Sequence, residues 1–427
     1  MHDVSTTREG EQSTPQPTRG TFVAPTDRLI TAPFVVVTLS ALAFFMYIGT
    51  LLPLIPLYIE SETIGGTEFD IGLNVAAFAV AAVLARPILG RLANRFGRRV
   101  IIVAGTLMAA SSGFGMSQVE SLLPLLGLRA LTGIGEAAVF VGAATLIADL
   151  SPRDRRAEGA SYFSVAIFTG LGLGPVFGEW LLDDTRFERT FIAAALFALL
   201  AGCIGLFAPA RVVSPDTQTG RGVEHDDDPD RQGLRKYVHP AAVLPGTVLA
   251  LGVGGLTTFF LFVPQYSRDL GLSSSSGLFL VYALVSVLIR IFGATLPERL
   301  GPRRMVTIAL VAFAIGLLAV ATIDEVWVLW FAALLIGVGA AFNYPSLNAL
   351  TVNRVGDRDR AVAISSFTMF FEIGSAVSGI TVGQLAEVVG KQHAFYGGVV
   401  MVLLGLYVLR VHVVPPGAPD GGPTRPA

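Results

Sequence analysis

The chain has 427 residues and a formal net charge of −2, from 30 basic and 32 acidic residues. Hydrophobic residues make up 52% and charged residues only 15%, against about 25% charged in a soluble domain, and mean hydropathy is +0.65. This composition excludes a water-soluble protein of ordinary make-up and points to a polytopic α-helical membrane protein.

Residues 1–29 are polar and rich in Pro and Thr, without the apolar stretch of a signal peptide, and read as a disordered cytoplasmic tail. Beyond them, apolar runs long enough to cross a hydrocarbon core of roughly 30 Å recur to residue 413. The expected spans are helix 1 within 29–59, broken at Pro53 and Pro56, and helix 2 from about 71 to a basic turn at Arg86. Helices 3 to 6 are expected at 100–117, 121–150, 159–182 and 190–209. Helices 7 to 12 follow near 239–266, 273–296, 304–323, 326–352, 361–386 and 393–413. Residues 210–238 carry the acidic run Glu224-His-Asp-Asp-Asp-Pro-Asp230 and form the longest internal connection, and 414–427 make a second tail.

The basic stretch Arg86-Pro-Ile-Leu-Gly-Arg-Leu-Ala-Asn-Arg-Phe-Gly-Arg-Arg99 holds two glycines, Gly90 and Gly97, that suit a tight turn. It recurs at an offset of 204, which pairs Arg86 with Arg290, Arg95 with Arg299, Gly97 with Gly301 and Arg99 with Arg303. The register then holds without a gap through Gly133/Gly337, Gly135/Gly339, Arg156/Arg360 and Gly170/Gly374. Two homologous halves follow, 30–209 and 239–413. Loops 2–3, 4–5, 8–9 and 10–11 carry the arginines, whereas loops 1–2, 3–4 and 9–10 are acidic or nearly uncharged. By the positive-inside rule both termini are cytoplasmic. With six spans each, the halves share one orientation and relate by an axis along the membrane normal.

Twelve spans in two parallel halves, with Gly90-Arg-Leu-Ala-Asn-Arg-Phe-Gly-Arg-Arg99 after helix 2, resemble the major facilitator superfamily. Arg129-Ala-Leu-Thr-Gly133-Ile-Gly135 in helix 4 is similar to that family's arginine-and-glycine motif. Gly170-Leu-Gly-Leu-Gly174-Pro175-Val-Phe-Gly178 in helix 5 resembles the motif of its drug/proton antiporters. Asn94 stands where the family's loop motif usually has Asp, and Glu179 where its helix 5 motif usually ends in Gly. The resemblance implies a secondary transporter of the cell membrane, a proton-coupled exporter of a drug-like compound or sugar, monomeric and without cofactor or nucleic acid. Uptake of a sugar or organic acid is the alternative within the class, and a transport-dead sensor or scaffold the alternative outside it. No Walker-type loop, His/Cys metal spacing or nucleophile elbow argues for an enzyme.

Charges at membrane depth are functional candidates. Arg129 and Glu136, seven residues apart, share one face of helix 4 about 10 Å apart along its axis, too far for a direct pair. Each is expected to face the central cavity or another helix, with proton coupling or cargo contact the role weighed first. Glu372, in the middle of helix 11, is the clearest intramembrane acid of the second half. Glu179 is expected to reach water, and Arg86 and Arg290 to snorkel to the interface. Gln265, Asn343 and Tyr344 are candidate substrate contacts, and Tyr47 and Tyr58 interface aromatics. The helix 5 glycines, with Pro175 kinking the helix, are expected to seal one side where the halves meet. In the basic loops, Gly90, Asn94, Arg95, Gly97 and Arg98 are a gating motif by what the resemblance implies. Asp149 is expected to hold Arg98, and Glu298 to pair with Arg303 or Arg360.

Overall fold

The computed structural model describes residues 21–23, 28–152, 155–182, 186–213, 239–293, 296–355 and 360–413. The first six helices are α1 Ala32–Glu60, α2 Glu68–Phe96, α3 Arg98–Met116, α4 Leu122–Leu150, α5 Arg156–Leu181 and α6 Phe187–Gly205. The second six are α7 Pro240–Asp269, α8 Ser276–Phe292, α9 Pro302–Thr322, α10 Val326–Val352, α11 Arg360–Val389 and α12 Lys391–Val408. A helical turn, Leu296–Leu300, precedes α9, and a π-helical turn, Leu409–Val413, extends α12. Among the described residues eleven helices are long and apolar enough to cross a membrane, and the apolar α8, with 17 residues, is the shorter twelfth.

Helix 1 is not broken at Pro53 and Pro56; α1 runs through them, as α5 runs through Pro175. A helix opened at a proline in hydrocarbon would leave carbonyls with no water to bond, so the remaining backbone bonds are kept. The basic stretch is likewise no turn for most of its length. It continues α2 to Phe96, so Gly90 lies inside the helix with nothing within 4 Å of the space its Cβ would fill, and the chain turns at Gly97 alone. Gly97 has φ 92° and its counterpart Gly301 has φ 82°. Each starts the next helix from the left-handed region that favours glycine.

Helices α1–α6 pack among themselves, as do α7–α12, and the two groups meet chiefly along α2 with α11, α5 with α8, and α1 with α7. Under the 204-residue offset the α2–α11 contact maps onto α8–α5, so one crossing is used twice. For orientation, the end bearing loops 2–3, 4–5, 8–9 and 10–11 is called the basic face, and the other the acidic face.

The first tail and the linker are not both free of structure. Thr21–Val23 pairs in parallel with Arg211–Val213, Phe22 opposite Val212. Both triplets offer β-favouring residues and unpaired backbone groups. The rest of the first tail to residue 27, the linker from 214 to 238, the last 14 residues and the side chains of Glu298 and Arg360 lie outside the described residues.

Candidate functional site

Because α2 continues ten residues past Arg86, that residue sits about 15 Å from the basic end of its helix. It does not snorkel. Its Nη2 donates to Glu372 Oε1 of α11 at 2.7 Å and lies 3.8 Å from Glu136 Oε2 of α4. The three side chains are 9%, 6% and 8% exposed. One guanidinium thus ties two helices of the first half to one of the second. The short contact to Glu372 is a charge-assisted hydrogen bond. Glu136 Oε2 has no hydrogen-bond partner and is held by charge alone. The guanidinium also lies 5.2 Å from the ring centre of Phe140, one turn beyond Glu136. With both acids ionised the cluster carries one excess negative charge, and a single proton makes it neutral.

Arg129 does not join this cluster. Its Nε donates to Asn74 Oδ1 of α2 at 2.9 Å and its guanidinium lies 4.9 Å from the Phe78 ring centre. Tyr47, fully buried rather than interfacial, bonds Thr132 at 3.2 Å and completes a separate polar network in the first half. Tyr58 is also buried and donates to the Val119 carbonyl.

The equivalent of Arg86 in the second half repeats its geometry with different partners. Arg290 Nη2 donates to the Ala340 carbonyl at 3.0 Å, and its guanidinium lies 3.8 Å from the Phe168 ring centre. Ala340 and Phe168 are the 204-offset counterparts of Glu136 and Glu372. Arg290 therefore faces inward too, against α5 and α10, and not toward the interface.

Of the three polar candidates, Tyr344 alone approaches this centre, with its hydroxyl 3.2 Å from Thr368 Oγ1. Asn343 is buried beside Gly252 of α7, and Gln265 is buried with neither amide atom paired.

The acidic face is fastened across the halves. Glu179 is half-buried and not free in water alone: its carboxylate accepts from the hydroxyls of Ser274 and Ser275 and, at 2.7 Å, from the Ser276 N–H that starts α8. A carboxylate there satisfies an orphan donor and complements the helix dipole. Lys391 pairs with Glu60 at 2.8 Å, and Thr67 Oγ1 donates to Glu387 at 3.1 Å. The helix 5 glycines divide their work. Gly170, Gly174 and Gly178 pack on α1 within the first half, and Gly172 alone meets α8, at Ala283. The main close crossing between halves is one the motifs did not mark, Gly72 of α2 against Gly379 and Gly383 of α11. Its signal in the sequence is Gly379-x-x-x-Gly383.

Every hydrogen bond and ion pair described between the halves lies at this face or at the Arg86 cluster. At the basic face, Arg98 Nη2 stands 3.1 Å from Asp149 Oδ2, a pair within the first half. Asn94 and Arg95 are exposed on the last turn of α2, and Arg303 has no acidic partner among the described residues.

The family profile described as Major Facilitator Superfamily matches residues 36–298 and, again, 278–427. The chain belongs to the major facilitator superfamily. Multidrug resistance protein 1 of Bacillus subtilis is 24% identical over 372 residues, covering 85% of this chain and 91% of that protein. Quinolone resistance protein NorA of Staphylococcus aureus is 24% identical over 356 residues, covering 81% and 87%. Among solved structures, a bacterial homologue of the human lysosomal transporter Spinster superposes with a TM-score of 0.70 at 15% identity, covering 90% of this chain and 97% of that one. A point mutant of the nucleoside transporter NupG gives 0.69 at 14%, covering 88% and 98%. The superfamily chain is a transporter with small-molecule cargo, set in a membrane by many spans, and not an enzyme.

Proposed function

We propose that this superfamily member is a proton-coupled exporter of small organic solutes, acting as a monomer in the cell membrane, with its basic face and both termini cytoplasmic. The observation that carries the reading is the buried Arg86–Glu136–Glu372 cluster. It lies where the halves meet, it changes its charge balance by one proton, and it has one carboxylate held only loosely. The curated relatives, by name resistance proteins, support export over uptake. On this reading the structure is closed to the outside, where Glu179, Lys391 and the glycine crossing fasten the halves. A proton reaching Glu136 when the outer face is open would neutralise the cluster, and its release inward would restore the charge that holds Arg86. Alternating access then follows as a rocking of the halves about this midplane site.

Proteoliposomes under an imposed pH gradient, screened with drug-like cations, anions and neutral solutes, test direction and coupling in the same traces. Glu136→Gln should abolish pH-driven flux while the protein inserts normally, because glutamine keeps the shape and cannot exchange the proton. Unchanged pH-driven flux in that variant rejects the coupling role, and inward accumulation driven with the proton would favour symport.

The gating motif carries a smaller expectation than its sequence suggests. Arg98 and Asp149 are 25% and 31% exposed and already paired with no described bond across the basic face. A contact made in both states shifts neither, and a half-exposed pair contributes about 0.2–1 kcal/mol. Asp149→Asn should therefore move the resting population by no more than about fivefold, toward inward-open only in so far as the pair is tighter when that face is shut, and Asn94→Asp should move it the other way. Spin-label distances across the basic face measure both shifts, and a change well beyond that size would show the pair to be far tighter when that face is shut.

A further inference from the structure

Two sockets of one shape are built into the centre of this protein, and only one is electrically filled. In the first, Arg86 is met by Glu136 from α4 and Glu372 from α11. In the second, Arg290 is met by Ala340 from α10 and Phe168 from α5, the residues at the equivalent positions. The contacts are the same in place and different in kind: a backbone carbonyl and an aromatic face stand where the two carboxylates would be.

The second guanidinium is therefore left with an unspent charge. Among the described residues no carboxylate lies within ion-pair distance of Arg290, and its Nε has no hydrogen-bond partner. Of its five N–H groups one is used by Ala340. The stack on Phe168 offsets part of the cost of a cation at this depth but supplies no negative charge. A purely structural arginine here would be better replaced by an apolar residue of similar length. Arg290 is also only half-buried, though it stands between α5 of one half and α10 of the other.

What surrounds it limits the occupant. Tyr344, one turn beyond Ala340 on α10, stands on the same face of that helix. Tyr282, two turns earlier on α8, has a hydroxyl without a partner, and Phe260 packs edge-on to it. Aromatic faces with a few hydroxyls suit a flat apolar body. One free guanidinium suits one negative charge, and a dianion would be repelled by the acids at Arg86.

We propose that Arg290 anchors the cargo, taking the carboxylate of an aromatic, singly charged organic acid in the socket formed with Phe168, Ala340 and Tyr344. The inference rests on the transporter reading above and narrows its solute class. Carboxylate and guanidinium match in geometry as well as charge.

The test uses the purified full chain in lipid nanodiscs and three probes with one ring system: 2-naphthoate, 2-naphthamide and 2-naphthylmethylamine. Isothermal titration should show naphthoate binding at least tenfold tighter than either analogue. Arg290→Gln should lose that preference, whereas Arg290→Lys, a point charge without the fork, should keep part of it. Thermal unfolding checks that the variants are folded, and the preference within the unchanged protein needs no variant. Equal binding of the three probes, no binding of naphthoate, or full naphthoate affinity in a folded Arg290→Gln each overturns the proposal. No gradient is imposed, so the two readings fail separately. Arg290-dependent naphthoate binding with no pH-driven flux removes proton coupling and leaves the anchor. Proton-driven export of cations without naphthoate binding does the reverse.

Discussion

Arg86→Met should abolish transport and lower the thermal stability of the protein more than any other single change at the centre. The arginine is 9% exposed and holds Glu372 at 2.7 Å and Glu136 at 3.8 Å. Removing it strands two carboxylates at membrane depth, and breaking a buried pair by deleting one partner costs about 3–5 kcal/mol. That is a large share of a typical folding stability of about 5–15 kcal/mol. A triple variant, Arg86→Met with Glu136→Gln and Glu372→Gln, removes charge from both sides of the pair. It should recover most of the stability, because neutral groups of similar volume replace ionic ones without a stranded charge. It should recover no proton-driven flux, since nothing at the site then changes charge. Arg86→Lys should fold and keep reduced flux, having the charge without the planar fork. Thermal unfolding in detergent and flux in proteoliposomes separate the two effects, and native flux from Arg86→Met would remove the cluster from the mechanism.

Much of the architecture was legible in the sequence because hydrocarbon enforces it. A backbone that must bond itself makes helices wherever twenty apolar residues run together, and the 204-residue register reappears as left-handed glycines at 97 and 301. Depth was less legible. An arginine at the edge of an apolar run reads as snorkelling, and only the continuation of α2 to Phe96 shows that Arg86 lies deep inside. Glu136 and Glu372 stood out as intramembrane acids, but their common partner is on a third helix. Glu179 and Ser276, 97 residues apart, carry no local signal of each other. Asn343 and Tyr344 are adjacent in sequence and point to different places, one beside Gly252 and the other to Thr368. A helix turns about 100° per residue, so adjacent polar residues rarely serve one site.

Gly72→Ala should hold the acidic face open. A Cβ at Gly72 would stand 1.9 Å from the Gly379 carbonyl oxygen and 3.2 Å from Gly383 Cα. Seen from α11, a Cβ at Gly379 would stand 2.6 Å from Gly72 O, and one at Gly383 3.0 Å from Glu68 O. These are backbone atoms, so no side chain can swing aside, and the helices themselves must part by about an ångström or more to reach carbon contact distances. Parting them there also strains Glu60–Lys391 and Thr67–Glu387, which lie at the same end of the same pair of halves. Overpacking of this kind costs about 1–3 kcal/mol, and it falls on the state in which this crossing is closed. The resting population should therefore move toward the state open at the acidic face by about fivefold to a hundredfold, and turnover should fall because the closed state is visited less. Gly127→Ala is the matched control, a helical glycine of α4 with nothing within 4 Å of the new methyl. Gly172→Ala should act as Gly72→Ala does, since its Cβ would meet Ala283 Cβ at 1.8 Å in the equivalent α5–α8 crossing. The measurement is spin-label distance between α2 and α11 near Glu68 and Glu387, after the lone Cys203 is replaced by serine so that only introduced cysteines react. Distances in Gly72→Ala that match those of Gly127→Ala would show that this crossing does not set which face is closed.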